Sequence, residues 1–129
     1  MIKRIVTYDE YDSLMFRLAR MLRSDERLKK INTVYGIPRG GLPIAVHLSH
    51  VMNWSFTIHP FQSHVEHTII VDDIADTGLT LRKFGVIYAT ATLFYKPRSD
   101  IKPNFYVEET DKWIVFPWEK DDEIPNRPT

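Results

Sequence analysis

The stretch IIVDDIADTG, residues 69–78, places two adjacent aspartates at the end of a run of aliphatic side chains. Residues 69–71 do not alternate with polar residues, which is typical of a strand covered on both faces in a parallel sheet. Carboxylates at the end of such a strand are costly unless they have partners or a ligand. The pattern indicates an α/β domain with its chemistry beyond the carboxyl ends of the strands.

Strands and helices are predicted on both sides of this stretch. A capping box, Thr7–Glu10, opens an amphipathic helix whose apolar positions are Tyr11, Leu14, Met15, Leu18, Met21 and Leu22. Further strands are predicted over residues 33–37, 55–58, 68–71 and 90–95, and further helices over residues 42–51 and 80–88. The order predicts an α/β fold with a mostly parallel sheet and flanking helices.

Composition limits the class of protein. The 129 residues predict one domain, and a formal net charge of zero gives no support for binding nucleic acid or an anionic membrane. The chain has no cysteine, which excludes disulfides and thiolate zinc sites.

Residues 40–65 lack Asp, Glu, Lys and Arg but contain four histidines and two prolines, so no membrane span is expected. Without an apolar stretch after Met1–Arg4, no signal peptide is expected, and we predict a cytoplasmic protein.

Two charged segments are predicted to lie outside the core. Residues 24–30 are interpreted as a solvated connection between the first helix and the next strand. The tail from Glu119 onward, which contains Asp121, Asp122, Glu123 and three prolines, is expected to be irregular.

A first candidate loop, GIPRGG at residues 36–41, follows the predicted strand over residues 33–37. Glycines allow backbone amides to approach an anion, and Arg39 adds a permanent positive charge, so the loop suits a phosphate or pyrophosphate. A plain Pro-Arg-Gly-Gly turn with a solvated arginine explains the same residues equally well.

A second candidate loop is the opening stretch, continued to Leu81. Asp76–Thr80 offers two hydroxyls, a glycine and the amides of a starting helix, which together suit a phosphate monoester. Asp72 and Asp73, just before it, can accept hydrogen bonds from sugar hydroxyls or hold Mg²⁺. The alternative is that these two acids merely end a strand and that Asp76 caps a helix.

Other motif interpretations agree less well with the spacing. The chain has no Gly-Lys-Ser/Thr and no G-x-G-x-x-G, so neither a Walker loop nor a dinucleotide fingerprint is present. Asp-Thr-Gly also occurs in aspartic proteases, but those enzymes are all-β, whereas a helix is predicted here directly after the motif.

The motif IIVDDIADTGLTL resembles the phosphoribosyl-pyrophosphate (PRPP) signature of type I phosphoribosyltransferases, and GIPRGG is similar to their pyrophosphate loop. FYKP and KWIVFPW, nearer the C-terminus, resemble the purine-recognition elements of the bacterial xanthine-guanine group. The resemblance covers residues 5–125. It implies a single phosphoribosyltransferase-like domain over residues 1–129, in which residues 96–125 form a small C-terminal hood.

The resemblance also implies roles for individual residues. The PRPP-binding residues are expected to be Asp72, Asp73, Asp76, Thr77, Gly78, Leu79 and Thr80, with Asp72 and Asp73 also holding Mg²⁺. The pyrophosphate loop is expected to be Pro38, Arg39, Gly40 and Gly41, often with a strained or cis peptide. Asp76 and Arg39 are the expected catalytic residues, with Asp76 near the purine N7.

The hood residues are expected to recognise the base. Lys96 is expected to donate to O6 of a 6-oxopurine, Trp113 to stack on the ring, and Ile114 to present its carbonyl to the 2-position. A solvated Lys96 and a core Trp113 are the structural alternatives. The implied activity is transfer of phosphoribose from PRPP to guanine, xanthine or hypoxanthine by a dimer or tetramer, as in purine salvage.

One segment departs from the family. Residues 59–67 replace a long mobile loop that closes over PRPP, and nine residues can hardly form such a lid. A slow enzyme, a cover supplied by a partner subunit, and a non-catalytic module that binds PRPP or a purine nucleotide are all compatible with this. An RNA-binding regulator would need a basic face. His59, His64 and His67 are expected to be exposed, although a metal site there is an alternative.

Overall fold

A computed structural model describes residues 2–120 of the chain. The strands are β1 (Lys3–Ile5), β2 (Thr33–Gly36), β3 (Ser55–Thr57), β4 (Thr68–Ala75), β5 (Ala89–Tyr95), β6 (Phe105–Glu109) and β7 (Trp113–Val115). The helices are α1 (Tyr8–Arg23), α2 (Gly41–Val51) and α3 (Leu79–Arg82). Residues 121–125 of the expected hood, and the acidic tail that includes Asp121, Asp122 and Glu123, lie outside the described residues.

Five strands form one parallel sheet in the order β3-β2-β4-β5-β6. The predicted α/β fold with a mostly parallel sheet is confirmed, and the all-β aspartic protease interpretation is wrong. Because the strands are parallel, the carboxyl ends of β2, β4 and β5 lie at the same edge, where loops can build a ligand site. Gly36 is paired with Val71, so the loop after β2 begins beside Asp72 and Asp73 of β4.

The helices α1 and α2 cover one face of the sheet. The capping box at Thr7 is confirmed, since the Thr7 hydroxyl accepts from the Glu10 amide at 3.1 Å. Leu14, Leu18 and Leu22 of α1 are buried against the sheet, whereas Met21 remains 36% exposed at the flank of the apolar stripe. Burial of such leucines contributes about 1.5–3 kcal/mol each to folding.

Strand β4 continues beyond the expected end at Val71. It remains paired with β5 as far as Ala75, which lies opposite Tyr95. Asp72 and Asp73 are therefore inside the strand rather than after it. The ladder hydrogen bonds fix their backbone, so the two carboxylates have a rigid base.

The helix predicted over residues 80–88 is only four residues long. After α3 the chain continues through turns, with the Gly85 amide bonded to the Leu81 carbonyl and the Tyr88 amide bonded to the Phe84 carbonyl. Gly85, Val86 and Ile87 are poor helix formers, which accounts for the early end. Phe84 and Tyr88 nevertheless cover the second face of the sheet.

Three strands and the turn within residues 24–30 were not predicted. Strands β1 and β7 form a separate two-stranded parallel sheet, in which only β7 belongs to the residues expected to form the hood, and β6 adds an edge to the main sheet. Residues 24–30 are not simply a solvated connection, because a 3-10 turn at Glu26–Leu28 buries Leu28. Within residues 2–120, no helix is long and apolar enough to cross a bilayer.

Candidate functional site

A cavity of about 330 Å³ lies at the carboxyl ends of β2, β4 and β5. Its lining combines both candidate loops with the hood. The predicted site residues that line it are Pro38, Arg39, Gly40, Asp72, Asp73, Asp76, Thr77, Gly78, Thr80, Lys96, Trp113 and Ile114. Residues up to about 75 positions apart in sequence therefore meet in one concave site, as expected for a small-molecule pocket.

Strand β4 supplies the paired acids. The Asp72 carboxylate accepts from the Asp73 amide, and the Asp73 carboxylate accepts from the Ile74 amide, both at 2.8 Å. Burial raises the pKa of Asp72 well above its ordinary value, and repulsion from Asp73 adds to the shift. Burial also raises the pKa of Asp73, although its hydrogen bonds with Asp72 and Ile74 oppose this. The protein thus holds two carboxylates where their charge is costly.

The paired acids have the chemistry of a magnesium site. Mg²⁺ takes oxygen ligands and is commonly held by one or two carboxylates together with substrate phosphates. Within residues 2–120, no group of three His, Cys, Asp or Glu side chains has the geometry to hold a metal by itself. Asp72 and Asp73 could supply two oxygen ligands to such a cation, and a bound cation would offset the cost of their ionisation.

The loop after β2 lies beside these acids. Its Pro38–Arg39 peptide bond is cis, in the loop where a strained or cis peptide was expected. A methyl group added at Gly40 would collide with the Asp73 carboxylate, so the loop backbone approaches β4 as closely as glycine allows. Gly41 begins α2 and does not line the cavity.

The loop after β4 turns through Gly78. This residue has a φ of 83°, a left-handed conformation that glycine adopts without strain. The Thr77 carbonyl accepts from the Asp100 amide at 2.7 Å, which joins the loop to the segment after β5. Thr77 and Thr80 are exposed at the cavity, whereas the Leu79 side chain is exposed away from its lining. Gly78 is the N-cap of α3, so Asp76 does not cap this helix.

Asp76 is instead part of an ion-pair cluster. Its Oδ1 atom lies 3.4 Å from the Lys96 ammonium and accepts from Nε of Arg98 at 2.9 Å, and the Arg98 Nη2 group also contacts it. Lys96 is only 5% exposed, which excludes the solvated alternative. A buried ammonium requires such a partner. The backbone of Lys96 is itself fixed, because its amide donates to the Ala75 carbonyl at 2.9 Å.

Trp113 and Ile114 lie opposite this cluster on β7. The Lys96 ammonium is 6.0 Å from the centroid of the Trp113 ring, and Trp113 is half-buried at the cavity rather than in the core. The Trp113 amide donates to Ile2, and the Val115 carbonyl accepts from Val6. Because alternate residues of a strand direct their backbone groups to opposite sides, the Ile114 carbonyl points away from β1.

Residues 59–67 form a packed corner. They contain two 3-10 turns, Pro60–Gln62 and Val65–His67, and the Tyr88 hydroxyl donates to the Pro60 carbonyl at 3.1 Å. Pro60 is buried and none of these residues lines the cavity. The segment therefore does not cover the site in this structure.

Several site residues carried no clear signal in the sequence. Arg98 contacts Asp76 from 22 positions away, and Glu119 lies at the start of the tail that was expected to be irregular. Glu119 accepts from the Phe116 amide at 2.8 Å and lines the cavity. It also lines an adjoining cavity of about 420 Å³ that Arg39, Gly40 and Asp73 share. The only local feature beside Glu119 is the preceding Pro-Trp pair, which by itself does not predict a site residue.

Comparisons with known proteins agree with these features. No family model matches the chain. A xanthine-guanine phosphoribosyltransferase of Cereibacter sphaeroides is 38% identical over 56 residues, which are 40% of this chain and 34% of the relative. The matched segment thus spans about a third of that curated relative. A structure titled xanthine-guanine-hypoxanthine phosphoribosyltransferase from Helicobacter pylori has a TM-score of 0.77 at 19% identity and covers 91% of this chain and 93% of its own, which shows the fold.

A structure titled purine phosphoribosyltransferase from Pyrococcus horikoshii is similar over almost the whole of both chains. It is 33% identical to this chain, covers 96% of it and 99% of its own length, and has a TM-score of 0.79. This chain therefore belongs to the type I phosphoribosyltransferase family, close to the xanthine-guanine group.

Proposed function

We propose that this protein transfers the 5-phosphoribosyl group from PRPP to N9 of a 6-oxopurine and releases pyrophosphate. The observation that carries the proposal is the joint placement of two kinds of group in one cavity. Asp72 and Asp73 on β4, suited to a ribose and a cation, share the cavity with Lys96 and Trp113, suited to a purine. The names of the Pyrococcus horikoshii and Cereibacter sphaeroides proteins support this class of activity.

The base is held by the hood side of the cavity. Trp113 stacks on the purine ring, which contributes about 1–3 kcal/mol per base. The Lys96 ammonium donates to O6, and an ammonium prefers a carbonyl oxygen to the amino group of adenine. The Ile114 carbonyl faces the 2-position, and the Asp76 carboxylate accepts a proton from the N7 side of the base.

The other substrate is held along β4 and its loop. Asp72 and Asp73 accept hydrogen bonds from the ribose hydroxyls, and Thr77–Thr80 hold the 5-phosphate through hydroxyls and amides. Arg39 and the Gly40 backbone face the leaving pyrophosphate. Asp72 and Asp73 would also hold Mg²⁺, which when bound supplies positive charge against the pyrophosphate.

Nitrogen N9 forms its bond to the anomeric carbon as the bond from that carbon to the pyrophosphate oxygen breaks. Catalysis is mostly positioning and electrostatics.

The packed corner at residues 59–67 favours a second candidate, a binding module of the same fold without turnover. An uncovered site admits water to the reacting carbon, which favours slow transfer or none. Nucleotide formation from PRPP and Mg²⁺ with guanine, xanthine, hypoxanthine and adenine in parallel separates the two. The proposed activity gives product with one or more 6-oxopurines and none with adenine, whereas PRPP binding by calorimetry without product supports the binding module.

A further inference from the structure

Arg98 contacts the site but has no role in the reaction described above. It lies two positions after Lys96, and its side chain is 64% exposed. It does not line the cavity, so a direct contact with the base or with PRPP is not expected. Its guanidinium instead reaches the carboxylate of Asp76, which does line the cavity. Arg98 can therefore act on the site only through that carboxylate.

The backbone holds Arg98 in this position. The Ser99 amide donates to the Lys96 carbonyl at 2.8 Å, which closes a turn around Arg98. The Asp100 amide donates to the Thr77 carbonyl at 2.7 Å, which joins this turn to the loop after β4. The arginine and the aspartate that it contacts therefore belong to segments that their backbones already join.

The contacts of the Asp76 carboxylate fall on one of its two oxygens. Its Oδ1 atom accepts from Nε of Arg98 at 2.9 Å and also contacts the Arg98 Nη2 group. The Lys96 ammonium lies 3.4 Å from the same oxygen. A carboxylate held at one oxygen is restrained in orientation and keeps the lone pairs of its other oxygen for a ligand. Oδ2 is thus the atom of Asp76 that can accept from a base.

The two cations of this cluster do not depend on Asp76 equally. The Lys96 side chain is only 6% exposed, so its ammonium is costly to bury without a partner. The Arg98 guanidinium is hydrated in the absence of a partner, because its side chain is mostly exposed. An ion pair at such exposure contributes little to folding. The orientation of the Asp76 carboxylate is a better reason for this contact than the stability of the fold.

We propose that Arg98 is a positioning residue, which holds Oδ1 of Asp76 so that Oδ2 accepts a hydrogen bond from N7–H of a 6-oxopurine. This inference rests on the proposed function, since that function places the base beside Asp76. Arginine suits the role because its planar fork makes two contacts with one carboxylate and fixes its orientation, whereas lysine offers a single point charge.

Two purine analogues separate the N7 contact from the rest of the base. The analogue 9-deazahypoxanthine keeps O6 and the N7–H donor, whereas 7-deazahypoxanthine keeps O6 and has carbon in place of N7. Their dissociation constants are measured by calorimetry with ribose 5-phosphate and Mg²⁺ instead of PRPP. Without a leaving group no transfer can occur, so the measurement reports binding alone.

Arg98→Met removes the guanidinium and keeps an extended side chain. We expect this variant to lose about tenfold more affinity for 9-deazahypoxanthine than for 7-deazahypoxanthine, because only the first analogue donates to Asp76. Arg98→Lys is expected to recover part of this difference. Arg27→Met is the control, since Arg27 forms an exposed ion pair with Asp25 at 2.7 Å and does not line the cavity. Both affinities are expected to be unchanged in the control.

Asp76→Ala removes the acceptor through which Arg98 is proposed to act. Addition of Arg98→Met to this variant is expected to lower the affinity for 9-deazahypoxanthine by no more than about twofold, because two residues that act through one contact are not additive. Circular dichroism checks the folding of each variant. Equal losses for both analogues in Arg98→Met, or a further tenfold loss in the double variant, would overturn the role of Arg98. If the unaltered protein bound neither analogue, the proposed base site would fail, and this inference with it.

Discussion

The ammonium of Lys96 lies 3.4 Å from Oδ1 of Asp76, so the residue proposed to contact O6 of the base and the residue proposed to accept its proton form one ion pair. The Arg98 guanidinium contacts the same oxygen. Asp76 therefore keeps a cationic partner when Lys96 turns toward a ligand. A purine that accepts from Lys96 exchanges one partner of the ammonium for another, which reduces the cost of its burial.

Lys96→Met removes the ammonium and keeps the rest of the side chain at nearly the same length. We expect kcat/KM for the preferred 6-oxopurine to fall by about 10- to 100-fold, because a hydrogen bond from a charged donor contributes ~1.5–3 kcal/mol. Steady-state kinetics with saturating PRPP provides the measurement. Lys102→Met is the control, since Lys102 is exposed beside Tyr95 and Tyr106, outside the cavity. Unchanged kinetics in Lys96→Met would contradict the assigned role.

Trp113→Ala removes the stacking surface from the hood. The KM for the purine is expected to rise by about 5- to 100-fold, consistent with ~1–3 kcal/mol of stacking per base, while the KM for PRPP stays within twofold. Trp113→Phe retains an aromatic ring and is expected to recover most of the purine affinity. If the alanine variant raised the KM for PRPP instead, the hood would not be the base site.

Asp73→Asn tests the acids on β4. The variant loses a charged acceptor for ribose and Mg²⁺, so we expect calorimetry to show PRPP affinity at least about tenfold lower. Its melting temperature without ligand is expected to be no lower than that of the unaltered protein, because the asparagine carries no buried charge. Asp12→Asn, on the exposed side of α1, serves as the control. Equal PRPP affinity in both variants would remove Asp73 from the site.

Glu108 links β6 to β1 and to α1, and its contribution to stability is expected to depend on pH. Its carboxylate accepts from Arg4 at 2.5 Å and from Arg17 at 3.2 Å, and the hydrogen bond from Arg4 is the main cause of its lowered pKa. A lowered folded-state pKa gives stability that is fully present above the unfolded value of about 4.3 and is lost as pH falls through the folded value.

Glu108→Gln is therefore expected to lower the free energy of unfolding by about 1 kcal/mol at pH 7. The difference from the unaltered protein should disappear once the pH is below the lowered pKa. Urea unfolding at pH 7 and at a pH below the lowered pKa gives the comparison. The matched control variant is Glu109→Gln, because Glu109 is an exposed neighbour of Glu108. A loss that is the same at both pH values would show that packing, rather than the ion pair, is responsible.

The sequence predicted four of the five strands of the main sheet and both candidate loops because their signals are local. Unbroken apolar runs identify buried parallel strands, and the glycines, threonines and acids that follow them are contiguous in the chain. The same locality explains the correct capping box at Thr7. The end of β4 was misplaced because polar residues normally end a strand, whereas here pairing with β5 continues through Asp72 and Asp73.

The two-stranded sheet of β1 and β7 could not be predicted from local sequence patterns. Strands β1 and β7 have three residues each and pair across about 110 positions of sequence, so each looks like irregular chain by itself. Arg98 and Glu119 were missed for a similar reason, since their site contacts depend on how segments after β5 and β7 fold back. Lys96 and Trp113 were assigned only through resemblance to a family, and the structure brings both to the cavity.

Phosphoribosyl transfer is tested most directly by the stoichiometry of its products. The unaltered protein is incubated with PRPP, Mg²⁺ and a 6-oxopurine, and nucleotide and pyrophosphate are quantified by chromatography over time. We predict that the two products form in equal amounts and that both form more slowly with Asp73→Asn. Pyrophosphate without nucleotide, or no product while PRPP is bound, would contradict the account.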